Sequence, residues 1–159
     1  MIALALAREA VEAGIAFRAL VADCLYGEDL DLRADLQQLG CGYVLALRPS
    51  HAWWHRVDQP GSVEELARSH PWQAKAPGDW VPILWRFRDG HRDTWWALEA
   101  EGGPCGVDQA ERLIIVTTDP ATLPELTTWY LVTNLPAPGS CRAEEDSGHV
   151  TDLAAVVHL

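Results

Sequence analysis

The stretch from Phe17 to Arg48, FRALVADCLYGEDLDLRADLQQLGCGYVLALR, decides the fold. It begins with Phe17 to Ala22, a run that is apolar except for Arg18 and therefore typical of a central, parallel strand. A helical stretch follows from Glu28 to Leu39, and a second apolar strand follows from Tyr43 to Leu47. The alternation of strand, helix and strand predicts an α/β sheet with right-handed crossovers.

Local signals mark the helices on either side of the first strand. Asp29 can cap the helix that follows it, and Asp31 lies favourably in the first turn of that helix. Gly40 ends the same helix, whose apolar stripe consists of Leu32, Leu36 and Leu39. Upstream, apolar residues at helical spacing predict a further helix that ends at Gly14. These apolar residues are Ile2, Leu6, Ala10 and Ala13.

The pattern changes after Pro49. Residues 50–80 are expected to be irregular apart from one short helix, which Ser62 and Glu65 open with a capping box. A hairpin is then predicted around Asp89-Gly90, between the segments VPILWRFR and DTWWALEA. Two more strands are predicted at RLIIVTT (112–118) and TWYLVTN (128–134).

These patterns divide the chain into three parts. Residues 1–49 supply helix, strand, helix and strand, and residues 50–145 are interpreted as a β-rich insertion. Residues 146–159 are interpreted as the start of a final helix that Thr151 and Asp152 open. We therefore expect the chain to be cut from a longer protein, because its first helix lacks a start signal and its last helix ends after barely two turns.

Composition restricts the class of protein. The 159 residues fit one domain or one domain with an insertion, and 48% apolar with 22% charged residues is ordinary for a globular protein. A formal net charge of −11 repels phosphate backbones, which opposes nucleic-acid binding by this chain alone. The four cysteines form no closely spaced pair, and the amino-terminal segment is neither a signal peptide nor a membrane span. We expect a cytoplasmic protein with free thiols that does not enter a membrane.

Asp23 is the candidate functional residue. Functional groups of open α/β sheets gather beyond the carboxyl ends of the strands, and Asp23 directly follows such a strand. Arg48 follows the next strand and would lie nearby if the two strands are neighbours. An aspartate in this place also caps turns and helices, so its position alone leaves both roles open.

The order of residues around Asp23 resembles the insertion-sequence transposases that carry an Asp-Asp-Glu triad on an RNase H-like fold. In that family a strand ending in Ala-Asp precedes a Tyr-Gly pair, a helix with Leu-Arg and Leu-Gly, and a strand ending in arginine. The matching positions here are Ala22, Asp23, Tyr26, Gly27, Leu32, Arg33, Leu39, Gly40 and Tyr43 to Arg48. The resemblance is continuous from Val21 to Trp54. It implies a partial RNase H-like core interrupted by the β-rich insertion.

The resemblance also implies chemistry. Asp23 matches the second acid of the triad, and would be a catalytic residue and a metal ligand. The first acid would lie upstream of Met1 and the glutamate beyond Leu159, so the chain would be a fragment truncated at both ends. The intact parent would use two Mg²⁺ ions to cut and join transposon DNA ends by phosphoryl transfer. Asp23 alone is not expected to hold these ions tightly.

Several further side chains have two interpretations each. Trp53 and Trp54 could stack on a DNA base or pack the insertion onto the sheet, and Arg48 could contact phosphate or form an ion pair. The i, i+4 pair His51 and His55 would suit a metal only on a helix. Arg56 could likewise contact phosphate or form an ion pair, and Cys24 could be a nucleophile or an inert buried thiol. Glu144 and Glu145 lie in a loop and are not assigned.

Two other functions stay open at this point. The chain could be a non-catalytic remnant or interaction module, or an unrelated small acidic α/β enzyme that uses Asp23 and Arg48. Two structural expectations follow from the transposase interpretation. Asp23 should be solvent-accessible and near the start of the 28–39 helix. The strand before it should present an unpaired apolar edge, through which the chain would self-associate or lose solubility.

Overall fold

The computed structural model describes residues 2–56, 59–87, 89–102 and 111–136. The proposed final helix, together with Glu144 and Glu145, lies outside them. The helices are α1 (Ile2–Glu12), α2 (Cys24–Gly27), α3 (Leu30–Gln38) and α4 (Val63–Ser69), with a 3₁₀ turn at Glu125–Thr127. The strands are β1 (Leu20–Ala22), β2 (Tyr43–Leu47), β3 (Ala52–Arg56), β4 (Gln59–Ser62), β5 (Val81–Arg86), β6 (Arg92–Gly102), β7 (Glu111–Thr117) and β8 (Thr128–Thr133).

Six of these strands form one mixed sheet in the order β1-β2-β8-β7-β6-β5. Strands β1 and β2 are parallel, as expected, and every other neighbouring pair is antiparallel. Strand β8 pairs directly with β2, so the strands of residues 81–133 extend the same sheet as the α/β beginning of the chain. The α/β class predicted from the sequence is therefore confirmed.

The first strand differs from the prediction in length and position. Only Leu20–Ala22 are paired, because β2 begins at Tyr43 and Leu20 is already opposite that residue. Within the described sheet β1 is an edge strand and not a central one. Val21 is 48% exposed, so the expected apolar edge is present in this part of the chain.

The region after Pro49 is more regular than predicted. Strands β3 and β4 form a separate antiparallel pair in which Trp54 lies opposite Pro60. The irregular structure expected for residues 50–80 is therefore wrong at these two strands, and β4 contains Pro60 and Gly61, residue types that are rare inside strands. The predicted capping box is confirmed: the Ser62 hydroxyl accepts from the Glu65 amide, and the Glu65 carboxylate accepts from the Ser62 amide.

Both faces of the sheet bury apolar side chains. One face packs against α1, α3, α4 and β3, and its core includes Leu36, Trp53, Leu66 and Leu113. The opposite face carries a smaller cluster, which consists of Val44, Ile83, Ala97, Ile114, Val116 and Leu131. Trp96 packs against the larger cluster and Trp95 against the smaller one, so these two neighbours in β6 lie on opposite faces of the sheet. None of the helices in the described ranges is long and apolar enough to cross a membrane.

Candidate functional site

Asp23 lies at the end of β1, at the point where the chain turns into the short helix α2. It has an extended backbone and caps α2, because its Oδ1 accepts a hydrogen bond of 3.1 Å from the Leu25 amide. The residue is exposed to solvent. The carboxyl ends of the parallel strands β1 and β2 lie at the same edge of the sheet, so Asp23 occupies the place predicted for it.

The Tyr-Gly pair of the motif fixes the turn that carries Asp23. The amides of Tyr26 and Gly27 both donate to the Asp23 carbonyl, each at 3.1 Å. Gly27 is buried against β2, where a β-carbon built on it would lie 1.9 Å from the Ala46 carbonyl oxygen. Glycine is therefore required here because no larger residue allows the turn to approach the strand so closely.

Arg48 and Glu28 form an ion pair of 3.5 Å beside this turn. Their side chains are 57% and 28% exposed, so the pair is largely solvated and contributes little to stability. The structure thus gives Arg48 the ion-paired role that was one of its two interpretations. The guanidinium nevertheless remains at the surface of the edge that carries Asp23.

The two tryptophans at the start of β3 have different surroundings. Trp53 is 1% exposed and belongs to the core between the sheet and its helices, which leaves no ring face for stacking on a base. This is the packing role that the sequence left open. Trp54 is only partly buried. Its ring remains a candidate for contact with a partner.

His51 is partly buried between β2 and β3, and it does not share a helix with His55, whose backbone lies in β3. The spacing of these two histidines therefore does not have the helical geometry that would suit a metal. Burial lowers the pKa of His51, and the nearby charge of Arg33 lowers it further. A neutral imidazole is consequently favoured inside the fold.

A two-ion metal site needs several ligands, mostly carboxylates, in one place. Within the described residues, no group of three or more histidine, cysteine, aspartate or glutamate side chains could hold a metal ion. Asp23 offers a carboxylate of the kind that Mg²⁺ prefers. The described residues therefore offer Asp23 as one ligand of such a site, and they do not form a complete two-ion site.

The sequence did not predict a buried ionic network beside this edge. The Arg33 guanidinium donates to both carboxylate oxygens of Glu111, with Nε 2.9 Å from Oε1, and its Nη1 donates to the Gly27 carbonyl at 3.1 Å. The Tyr43 hydroxyl also donates to Glu111 and accepts from Gln37 at 3.0 Å. Burial, together with the adjacent Glu111 carboxylate, raises the Tyr43 pKa well above its usual value.

A signal for this network was present in the motif itself. Arg33 lies between Leu32 and Leu36 on a helix whose neighbouring positions are buried, and its side chain is 2% exposed. A charge at such a position requires a buried partner. The sequence could not identify that partner, because Glu111 lies 78 positions further along the chain.

Comparison with known proteins agrees with this geometry. The family model for the DDE superfamily endonucleases matches residues 1–102, which include β1, Asp23, α3 and β2. A protein described as the probable transposase for insertion sequence element IS701, from Microchaete diplosiphon, is 31% identical over 136 residues. The alignment covers 85% of this chain and 31% of that relative. This chain belongs to the DDE superfamily endonucleases, and it spans about a third of the length of the curated relative it matches.

Family membership decides two of the sequence interpretations. The resemblance to insertion-sequence transposases is confirmed, and the mixed six-stranded sheet with its helices is consistent with a partial RNase H-like fold. The alternative of an unrelated small acidic α/β enzyme is wrong. The family match and the similarity to a probable transposase support a transposase-related function.

Proposed function

We propose that this chain is part of a transposase whose intact form cuts and joins DNA ends by metal-dependent phosphoryl transfer, and that Asp23 is one of its catalytic metal ligands. One observation carries the proposal. An exposed carboxylate lies at the carboxyl end of a parallel strand, inside the segment that matches the endonuclease family. DNA, through the transposon ends, would be the partner of the intact protein.

The local structure suits Asp23 to this role. Its Oδ1 accepts from the Leu25 amide, which orients the carboxylate, and no hydrogen bond is formed by Oδ2 within the described part of the chain. Because the turn is held against β2 at Gly27, the carboxylate is placed on a rigid support. A bound Mg²⁺ ion would supply Lewis-acid activation of the attacking and leaving oxygens. Asp23 would contribute a negatively charged oxygen ligand at a fixed position.

One carboxylate does not make a two-ion site, so the other acids of the proposed site would come from polypeptide outside the described residues. We therefore expect that this chain by itself neither cleaves nor joins DNA and binds Mg²⁺ weakly. The net charge of −11 supports this expectation, because it opposes the approach of DNA. Arg48 and Trp54 are proposed DNA contacts of the intact protein. Trp53 is not, because it is buried.

A non-catalytic remnant or interaction module is the second candidate. The short parallel strand β1, whose exposed Val21 lies at the edge of the described sheet, favours it. Such an edge is a template for pairing with another chain and requires no active site. The cytoplasmic location expected from the sequence remains a prediction under either function.

The test of Asp23 has two parts. Purified chain is incubated with Mg²⁺ or Mn²⁺ and DNA that carries the element's own ends, and nicking and strand transfer are measured. In parallel, the aspartate equivalent to Asp23 is changed to asparagine in an intact relative. We expect no cleavage by this chain and loss of transposition in the intact protein. Asp29→Asn is the matched control, since it makes the same change at a neighbouring helix cap.

Two results would contradict the proposal. Metal-dependent cleavage by this chain that disappears in Asp23→Asn would show that a complete site exists in it. Normal transposition after the change in the intact relative would show that the residue is only a cap. Loss of transposition after the Asp29→Asn change as well would indicate a folding effect and not a chemical one.

A further inference from the structure

Arg33 connects the buried ionic network to the turn that carries Asp23. We propose that Arg33 is a positioning residue, which holds α2 in the place that directs the Asp23 carboxylate toward its metal. This inference rests on the proposed function of Asp23 and adds a second residue to it. Arg33 does not touch the carboxylate. It acts through the Gly27 carbonyl at the opposite end of α2, 3.1 Å from its Nη1.

The helix α2 needs support from outside. It has four residues, and a helical turn of this length is not stable alone. The Asp23 carbonyl accepts from the Tyr26 and Gly27 amides, so a displacement of Gly27 is transmitted to the backbone of Asp23. The bond from Arg33 satisfies a carbonyl at the end of this turn with a positive charge, which suits the carboxyl end of a helix.

Glu111 provides the fixed point for this contact. Its carboxylate is fully buried at the start of β7 and accepts from Arg33 and Tyr43. The guanidinium is planar and rigid, so two of its nitrogens can bind the carboxylate while the third reaches Gly27. A lysine keeps the charge but carries its donors on a single nitrogen, so it cannot reach both Glu111 and Gly27 as the guanidinium does.

Two control substitutions, at Tyr43 and at Arg112, distinguish the positioning of α2 by Arg33 from a general contribution to the stability of the fold. Tyr43→Phe removes one hydrogen bond from the same carboxylate and leaves the bond from Arg33 to Gly27 in place. Arg112 is a matched arginine elsewhere in the sheet. It binds Glu99 through Nε and Nη2, and its Nη1 donates to two backbone carbonyls, Leu135 at 3.0 Å and Pro136 at 2.9 Å.

The first measurement is hydrogen exchange by mass spectrometry on peptides that cover 23–28 and 130–136, in the full chain. In Arg33→Lys we expect exchange of the Tyr26 and Gly27 amides to increase about tenfold, as for a lost hydrogen bond to a charged donor. Arg112→Lys should leave hydrogen exchange in the 23–28 peptide unchanged and accelerate it in the 130–136 peptide. In Tyr43→Phe, hydrogen exchange in the 23–28 peptide should accelerate by no more than the loss of global stability explains.

The second measurement is Mn²⁺ binding followed by electron paramagnetic resonance, a readout that global stability does not move. The Asp23-dependent component of Mn²⁺ binding is the part that is lost in Asp23→Asn. This component should weaken several-fold in Arg33→Lys and stay unchanged in Tyr43→Phe. Equal effects of Arg33→Lys and Tyr43→Phe on the exchange of 23–28 and on Mn²⁺ binding would overturn the proposal. If Asp23→Asn alters no Mn²⁺ binding, the ligand role of Asp23 fails, and the exchange comparison alone decides whether Arg33 holds the turn.

Discussion

Gly27 lies against the Ala46 carbonyl so closely that a β-carbon at Gly27 would be 1.9 Å from that oxygen. The clash would be with the backbone of β2, and neither partner can move without displacing the strand or the turn. This contact explains in physical terms why the family motif has glycine after Tyr26. It also joins the turn that bears Asp23 to the sheet.

Gly27→Ala should destabilise the fold by about 1–3 kcal/mol or more, because the added methyl group forces α2 away from β2. Urea unfolding at neutral pH measures the change. Gly61→Ala is the control, since its β-carbon would meet Glu65 side-chain atoms at 3.4 Å or more. A Gly27→Ala protein as stable as the Gly61→Ala protein would contradict the close approach.

Two substitutions distinguish the negative charge of Asp23 from its role as the cap of α2. Asparagine caps helices about as well as aspartate, so Asp23→Asn should change the free energy of unfolding by less than about 0.5 kcal/mol. Asp23→Ala removes the bond to the Leu25 amide and should cost about 0.5–1 kcal/mol. Thermal melts of the two variants provide the comparison. Similar losses in both would mean that the negative charge itself stabilises the fold.

His51 should make the protein sensitive to acid. Its pKa is lowered in the fold, chiefly by burial, from the ordinary value of 6.5. The unfolded chain therefore takes up the proton more readily than the folded protein, and stability is lost as pH falls below 6.5. The free energy of unfolding, measured by urea titration between about pH 5 and pH 7, should decrease toward the acid side. His51→Gln should flatten this slope, and an unchanged slope would assign it to other groups.

The exposed edge of β1 should cause self-association. Val21→Lys adds a charge to this edge, which is how natural proteins protect such strands. We expect the chain to associate with increasing concentration in sedimentation velocity and Val21→Lys to reduce that association. Leu126→Lys is the control, because Leu126 is 92% exposed on the 3₁₀ turn before β8. A monodisperse wild-type monomer would show that the edge is protected.

The parts of the fold that the sequence predicted are those set by local chemistry. Asp29 caps α3 by accepting from the Leu32 amide at 2.9 Å, and Ser62 with Glu65 opens α4. The hairpin turn at Asp89-Gly90 joins β5 and β6 as expected. In each case the residues that decide the structure are within a few positions of one another, so a single segment contains the whole signal.

The parts that the sequence did not predict depend on distant partners. The pairing of β8 with β2 and the ion pair of Arg33 with Glu111 each join residues far apart in the chain. The short length of β1 is set by where β2 begins, and not by its own apolar run. Asp23 could be located from its strand and turn. Its support by Arg33 could not, because no local pattern indicates which buried carboxylate an arginine will meet.

The position of β2 between β1 and β8 has a consequence for the order of folding. Strands β5 to β8 pair with their neighbours in sequence, so they can form early through short loop closures. Strand β2 joins them through contacts such as the Tyr43 amide with the Asn134 side chain, 91 positions away. We therefore expect pulse-labelled hydrogen exchange to protect β7 and β8 before α2. The turn that carries Asp23 would then become ordered on strands that have already assembled without it.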